Sequence, residues 1–323
     1  MFPEKITTYY KSLINTKEPH DPLAKMVLYS SAEKNICANE SADPIGDGLY
    51  SQGRLIHRYH KRALLMVSGR CPAHCRFCFR RSLAREDMPD ISNEEIDSAI
   101  KYLHTHCEIE EIIFSGGDPL SLSNIRLIEI VDAIRTIKSI HKIRIHTRYP
   151  VYDPSRCDDI DELASKIDVF VLHINHSREI TPCFRQAIKN IRCHAHIFNQ
   201  TVLLKGVNDS LTELVALSNA LFSCGIIPYY LHYPDRAYGT SHFCVGTKTA
   251  KSLMQELQEH FPEMLEKKER EERNLFAFLN IKPGRRVKTG FPNFSNSFLT
   301  LSIFLTSSIT SVFVRTITSS LSK

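Results

Sequence analysis

The sequence predicts an α/β fold: a partial (β/α)6 barrel with an N-terminal helical extension and an irregular C-terminal tail. Two observations carry the prediction. Between residues 63 and 247, six short apolar runs alternate with amphipathic segments, which implies a parallel sheet with helices outside it. Each run also ends in polar residues. Loops at the carboxyl ends of strands converge on one site in a barrel, whereas an open doubly wound sheet gathers its ligand at a single crevice, so polar residues after every strand favour the barrel.

In chain order, residues 1–60 carry no strong periodicity and read as an extension with one or two helices. Ala63 to Val67 is the first strand and leads into CPAHCRFCFRR at Cys71 to Arg81. Ser92 and Glu95 form a capping box, with Ile96, Ala99, Ile100 and Leu103 following at helical spacing. The strand Ile112 to Phe114 ends in SGGDPL, and a helix runs through Ile130, Val131 and Ile134. A strand at Ile143 to His146 meets HTR, ending at Arg148. A helix near Asp159 to Ile167 precedes the strand Val169 to Leu172, which meets HINH at His173 to His176. Then come a helix Thr181 to Ile191, a strand Ile197 to Leu204 containing Asn199 and Gln200, a helix Leu211 to Cys224, and a strand Pro228 to His232 with Asp235 beyond it.

The divisions are therefore 1–60, an extension; 61–247, the barrel; 248–290, a helix and basic loop; and 291–323, an uncharged tail rich in Ser and Thr. Ser252 to Arg273 reads as a charged surface helix broken near Pro262. Gly290 to Val314 has no charged residue, yet Ser, Thr and Asn interrupt its apolar residues too often for a membrane-spanning helix. Strand-like or poorly ordered structure is expected there.

With 323 residues, 42% of them hydrophobic and 24% charged, the chain can form one large domain with modest appendages. Its +5 formal charge is spread along the sequence, which argues against a nucleic-acid partner. Glu4 and Lys5 stand where a secretory signal needs an apolar run, so a cytoplasmic, reduced protein is expected.

Three cysteines, Cys71, Cys75 and Cys78, sit at C-x-x-x-C-x-x-C spacing. Three thiolates on one loop can hold three irons of a [4Fe-4S] cluster and leave the fourth iron open for chemistry. Zinc, the competing reading, usually takes four ligands from two separated pairs, and no matching pair follows. The other seven cysteines suit a role as small apolar residues.

Taken together, HRYHKR, CRFCFRR, FSGGDPL, IRIHTRYPV, HINHSREIT, NQTVLLKGVNDS and PYYLHYPD with GTSHF resemble, in order, the blocks of the lysine 2,3-aminomutase branch of radical S-adenosylmethionine enzymes. They cover roughly residues 55 to 245, and it is their combination that is specific. The resemblance implies a [4Fe-4S] cluster on Cys71, Cys75 and Cys78, with S-adenosylmethionine on its open iron. Gly116, Gly117, Asp118, His173 and Gln200 would line the S-adenosylmethionine site, although a glycine turn and a capping aspartate need no cofactor.

The branch also uses pyridoxal 5′-phosphate on a lysine, and IKPGRRVKTGF nominates Lys288, with Lys282 as a rival. Arg58, Tyr59, Arg62 and Arg148 match positions around the pyridoxal ring and phosphate. Arg80 matches the arginine for the amino acid carboxylate, and Asp235 a carboxylate that holds the distant ammonium group of L-lysine. Ile281 stands where free-lysine enzymes carry a second aspartate, which looks more like the type serving translation elongation factor P. The implied activity is conversion of L-lysine to β-lysine, with flavodoxin or ferredoxin as reductant and a homo-oligomer among the assembly states. A glutamate aminomutase, a paralogue without pyridoxal phosphate and a non-catalytic iron–sulfur module remain as alternatives.

Overall fold

In the computed structural model, the structure describes residues 2–82 and 88–261, with the backbone of 276–277. Lys288 and the uncharged tail lie outside the described residues. The strands are β1 Ser51–Gln52, β2 Leu55–Tyr59, β3 Arg62–Ser68, β4 Glu111–Gly116, β5 Lys142–Thr147, β6 Val169–His173, β7 His196–Val202, β8 Ile227–His232 and β9 Phe276–Ala277. They form one sheet in sequence order. Every pair from β3 to β8 is parallel, while β1 and β2 add antiparallel strands beside β3, and β9 does the same beside β8. Six parallel strands in sequential order, each followed by a helical crossover, make the partial (β/α)6 barrel that the sequence predicts.

The helices are α1 Thr8–Ser12, α2 Pro22–Val27, α3 Asn93–Thr105, α4 Asn124–Arg135, α5 Tyr149–Tyr152, α6 Asp161–Ser165, α7 Pro182–Arg192, α8 Leu211–Ser223 and α9 Thr247–His260. Their starts follow from local chemistry. The Ser92 side chain accepts from the Glu95 backbone N–H while Glu95 reaches back to the Ser92 N–H, satisfying two donors that the first turn of α3 leaves open. Thr181 caps α7, and Pro182 at its first position lacks a hydrogen that would have no partner there.

Period-two alternation sorts each strand into two faces. Ala63, Leu65 and Val67 of β3 and Ile112 and Phe114 of β4 pack outward in the same core as Ile96, Ala99 and Leu103 of α3. Full burial of each large aliphatic side chain contributes about 1.5–3 kcal/mol. The opposite faces carry Arg62, Glu111, Ser115, Arg144, His146 and His173 into the barrel lumen. Among the described residues no helix is long and apolar enough to cross a membrane.

The extension contains more strand than its sequence signals. The β2–β3 hairpin turns at His60 and Lys61, without the Asn-Gly or Asp-Gly pair that usually marks so tight a turn. The charged helix begins at Thr247, and its C-cap is Phe261, one residue before Pro262.

Candidate active site

Cys71, Cys75 and Cys78 lie just beyond the carboxyl end of β3, on a loop held largely by the extension. The backbone N–H groups of His74 and Arg76 donate to the carbonyls of Lys5 (2.9 Å) and Met26 (2.8 Å). The Arg76 side chain is fully buried; its Nε donates to Glu33 Oε1 at 2.8 Å and its terminal nitrogens to the carbonyls of Pro3 and Phe2. Arg81 donates to the same glutamate at 2.6 Å. Two arginines flanking Cys78 thus share one buried carboxylate, which fixes the loop from outside. Burial alone would raise the Glu33 carboxyl, but hydrogen bonds from Arg76 and Arg81 outweigh it and hold the pKa below the ordinary value.

The three cysteines are partly exposed at the mouth, while their sulfurs are embedded among protein atoms. Burial pushes the Cys71 thiol far up, raises Cys75, and lifts Cys78 to about 12, with neighbouring thiols adding to the shift at Cys71 and Cys78. Without a cation the sulfurs are neutral thiols; a bound iron centre would stabilise the thiolates directly. Tyr152 of α5 touches this set, with its hydroxyl 2.9 Å from Cys75 Sγ.

The glycines that follow β4 are needed by the fold itself. At Gly116 (φ +124°) a Cβ would stand 2.3 Å from the Ser68 carbonyl oxygen; at Gly117 it would meet the Arg70 carbonyl oxygen at 2.3 Å. The close approach lets the Gly117 N–H donate to Ser68 and the Asp118 N–H to Arg70, both at 2.7 Å. The glycines therefore tie the start of the cysteine loop to the end of β4.

Asp118 is buried and caps three segments. It accepts from the Leu120 N–H at 3.0 Å, the Thr147 hydroxyl at 2.7 Å and the Arg148 N–H at 2.7 Å. Burial nevertheless pushes its carboxyl up to about 6. Arg148 is also buried, with Nε donating to Tyr152 at 2.9 Å, Nη1 to the His173 carbonyl at 2.6 Å and Nη2 to Glu179. Its donors are directed at this network under the cysteine loop.

Within the lumen, Arg62 and Arg144 both bind Glu111. Burial opposes ionisation of Glu111, but Arg144, Arg62 and Lys142 together hold its pKa below the ordinary value. His146 and His173 are driven well below the usual histidine range, chiefly by burial and then by nearby arginines, so both imidazoles are neutral. The buried Nε2 of each has no hydrogen-bond partner among the described residues. Such atoms suit a polar ligand in the lumen. Arg80 enters from the cysteine loop: Nε and Nη2 donate to Asp47 Oδ2 at 3.2 and 2.9 Å, and Nη1 donates to Ser115 Oγ at 3.2 Å. Of the five N–H groups of a guanidinium, two remain.

The other predicted residues are spread along the barrel. Gln200 is on β7 beside His173 of β6, and Asp235 follows β8. Arg58 and Tyr59 lie on β2, where Tyr59 pairs with Arg62 at the amino end of β3. That is roughly 20 Å along the strand from Ser68 at the cysteine end. Arg58 donates to the Ile45 carbonyl at 2.7 Å, and Tyr59 is 56% exposed.

Comparison with known proteins agrees with this arrangement. Residues 65–217 match the Radical SAM superfamily. The chain is 38% identical over 244 residues to L-lysine 2,3-aminomutase of Escherichia coli, covering 74% of this chain and 71% of that protein. The chain belongs to the radical SAM lysine 2,3-aminomutase family. The Haemophilus influenzae L-lysine 2,3-aminomutase is 36% identical over 264 residues, covering 80% of this chain and 78% of that protein. That of Buchnera aphidicola is 34% identical over 265 residues, covering 80% and 77% respectively.

Membership makes the protein an isomerase and implies a [4Fe-4S] cluster with S-adenosylmethionine. The donor set fits: three neighbouring thiols, no fourth cysteine in the loop, and an unpartnered Nε2 on His173 of β6, whose ring meets Phe77 of the cysteine loop. Sequence reasoning missed Glu33, Asp47, Glu111, Tyr152 and Glu179. Apart from an acid in a capping pattern, nothing local marks a residue whose partner lies tens of positions away.

Proposed function

We propose that the enzyme converts L-lysine to β-lysine, with pyridoxal phosphate held by Lys288, in the service of translation elongation factor P. The observation that carries the amino acid reading is Arg80, which follows the third cysteine closely and keeps two N–H groups after binding Asp47 and Ser115. A planar fork of that kind suits a substrate carboxylate. Asp235, beyond β8, supplies the negative charge assigned to the far ammonium group.

When bound, the cluster and S-adenosylmethionine supply an adenosyl radical, and pyridoxal phosphate supplies the electron delocalisation that lets nitrogen move between adjacent carbons. The chain's own task is placement. Arg80 orients the carboxylate so that one hydrogen of the substrate faces the cysteine mouth, which converts an encounter into a near-attack geometry. Neutral His146 and His173 offer hydrogen bonds to uncharged groups without adding charge. Gly116, Gly117, Asp118, His173 and Gln200 are assigned to S-adenosylmethionine, the first three through the backbone they hold in place.

For pyridoxal phosphate, support comes from the cationic lumen floor. Arg62 binds Glu111 through Nε, so its terminal nitrogens remain for phosphate oxygens, and Arg144 lies beside it. Arg58 and Tyr59 extend that end of the site, and Arg148 braces the cysteine side. The elongation factor P link rests on Ile281 standing where free-lysine enzymes carry an aspartate.

The test is anaerobic reconstitution with iron, sulfide, S-adenosylmethionine, pyridoxal phosphate and dithionite, offering L-lysine and L-glutamate in parallel. Chiral analysis should find β-lysine alone, with flavodoxin or ferredoxin able to replace dithionite. Turnover of glutamate instead, or undiminished lysine turnover by Cys75→Ala or Lys288→Ala, overturns the corresponding part of the reading.

A further inference from the structure

We infer that His57, His106 and Glu108 form a second metal site, which takes a divalent ion of the zinc class. One ligand atom from each of the three lies within 4.8 Å of the others, and all three residues are half-buried. His57 is on β2, His106 is the C-cap of α3, and Glu108 is in the turn to β4. The site thus joins the edge hairpin to the end of α3. It lies at the amino end of the strands, with the length of α3, roughly 20 Å, separating it from the cysteine side.

The hydrogen bonds around both imidazoles are those that prepare histidine for a metal. His106 Nδ1 is 2.8 Å from the Tyr102 carbonyl oxygen. A carbonyl only accepts, so Nδ1 carries a hydrogen, which in a metal-binding ring leaves Nε2 as the donor atom. His57 Nδ1 is 3.0 Å from the Tyr102 hydroxyl, which can accept the equivalent hydrogen. One residue thereby orients both rings, the supporting role that outer partners play around bound metals.

The bland alternative is an aromatic cluster. Tyr102 and His106 are stacked with centroids 3.8 Å apart, and His57 meets each ring edge-on. Packing accounts for three rings. It does not account for a half-buried carboxylate within 4.8 Å of both imidazoles. Two imidazoles and a carboxylate are a donor set for zinc, with water at the fourth tetrahedral position. Bonds of ~2.0–2.1 Å require donors roughly 3.4 Å apart, so the three must close by no more than about 1.4 Å. The ion would fasten β2 to the α3–β4 turn.

The test uses full-length protein with Cys71, Cys75 and Cys78 changed to alanine, so that cobalt(II) has no thiolates to bind there. One equivalent of cobalt should produce the visible absorption of a tetrahedral nitrogen–oxygen site. His57→Ala and His106→Ala should abolish it, and Tyr102→Phe should weaken affinity roughly tenfold. No cobalt signal in the folded parent, or a signal unchanged by both histidine substitutions, overturns the proposal. Should the cysteine variant fail to fold, hydrogen exchange on the cluster-loaded wild-type protein decides. Zinc must then slow exchange at 55–59 and 102–111 in wild type and not in His57→Ala; equal exchange with and without zinc overturns the proposal.

Discussion

The Tyr152 hydroxyl lies 2.9 Å from Cys75 Sγ. Arg148 Nε donates to the Tyr152 oxygen at 2.9 Å, and an iron-bound sulfur, which carries no hydrogen, would accept from that hydroxyl. A hydrogen bond to a cluster ligand stabilises the more negative, reduced state and raises its potential. Tyr152→Phe keeps the ring, its edge contact with Tyr10 and the buried volume while deleting this donor. The potential of the reconstituted cluster should fall by roughly 20–60 mV, equivalent to about 0.5–1.5 kcal/mol for one electron. Potentiometric titration followed by electron paramagnetic resonance measures it. An unchanged potential would mean that the bond is lost once iron is bound.

Gly117→Ala should prevent the cysteine loop from closing on β4. The new methyl group would lie 2.3 Å from the Arg70 carbonyl oxygen and 2.6 Å from the Gly69 backbone, neither of which is a flexible side-chain end. The backbone must move, and with it the hydrogen bonds of Gly117 and Asp118. Iron retained after reconstitution should fall at least several-fold, while far-ultraviolet circular dichroism stays close to wild type. Full iron occupancy would show that the loop tolerates the displacement.

Asp118 gives a pH dependence with a defined sign. Its carboxyl is at about 6 in the fold against an ordinary 3.8, so the folded state holds the proton more tightly than the unfolded state. The associated stability is present below pH 4 and is lost as pH rises from about 4 to 6, on the order of 3 kcal/mol in total. Glu33 and Glu111 have lowered values, so their stabilisation is present above the ordinary range and fades as pH falls below it. The windows overlap, and His146 and His173, kept neutral by burial, add a rise in stability with pH that is complete only above their ordinary value of 6.5. Stability followed by urea unfolding should therefore rise with pH from 4 to 6.5, with Asp118 opposing the rise, and Asp118→Asn should steepen it whatever its effect on absolute stability.

Most of the barrel was legible because burial on two faces writes itself into short runs. Ile143 to His146 and Val169 to Leu172 are apolar where they meet helices, and the observed strands extend these predictions by only a residue or so. The cysteine loop was legible because three soft ligands at fixed spacing have few other uses. The countercharges were not. Glu33 sits in a 3-10 turn and reads as a capping acid, which it also is, since its side chain accepts from the Ser30 N–H. Its partners, Arg76 and Arg81, are more than forty positions away, and no local pattern announces contacts over that separation. The extension's strands were hidden for a related reason: β2 runs LIHRY, losing its apolar character after two residues, because His57 meets the Tyr102 hydroxyl, Arg58 the Ile45 carbonyl, and Tyr59 is exposed.

The Asp47–Arg80 pair yields a prediction that separates substrate binding from support. Asp47 Oδ2 accepts twice from Arg80, leaving the guanidinium oriented with two N–H groups unused. Asp47 touches no reacting atom, so it is a positioning residue in the proposed reaction. With Asp47→Asn the charge holding the fork is gone, and the KM for L-lysine should rise roughly tenfold, the equivalent of about 1.4 kcal/mol, with a smaller change in kcat. Arg80→Lys keeps the positive charge but loses the planar fork, so a bidentate partner should show a far larger loss in kcat/KM. If Arg80 were only a strut for the loop, both variants would lower thermal stability and leave the KM alone. Measuring KM, kcat and the unfolding midpoint on the same iron-loaded preparations therefore decides between a carboxylate clamp and a structural ion pair.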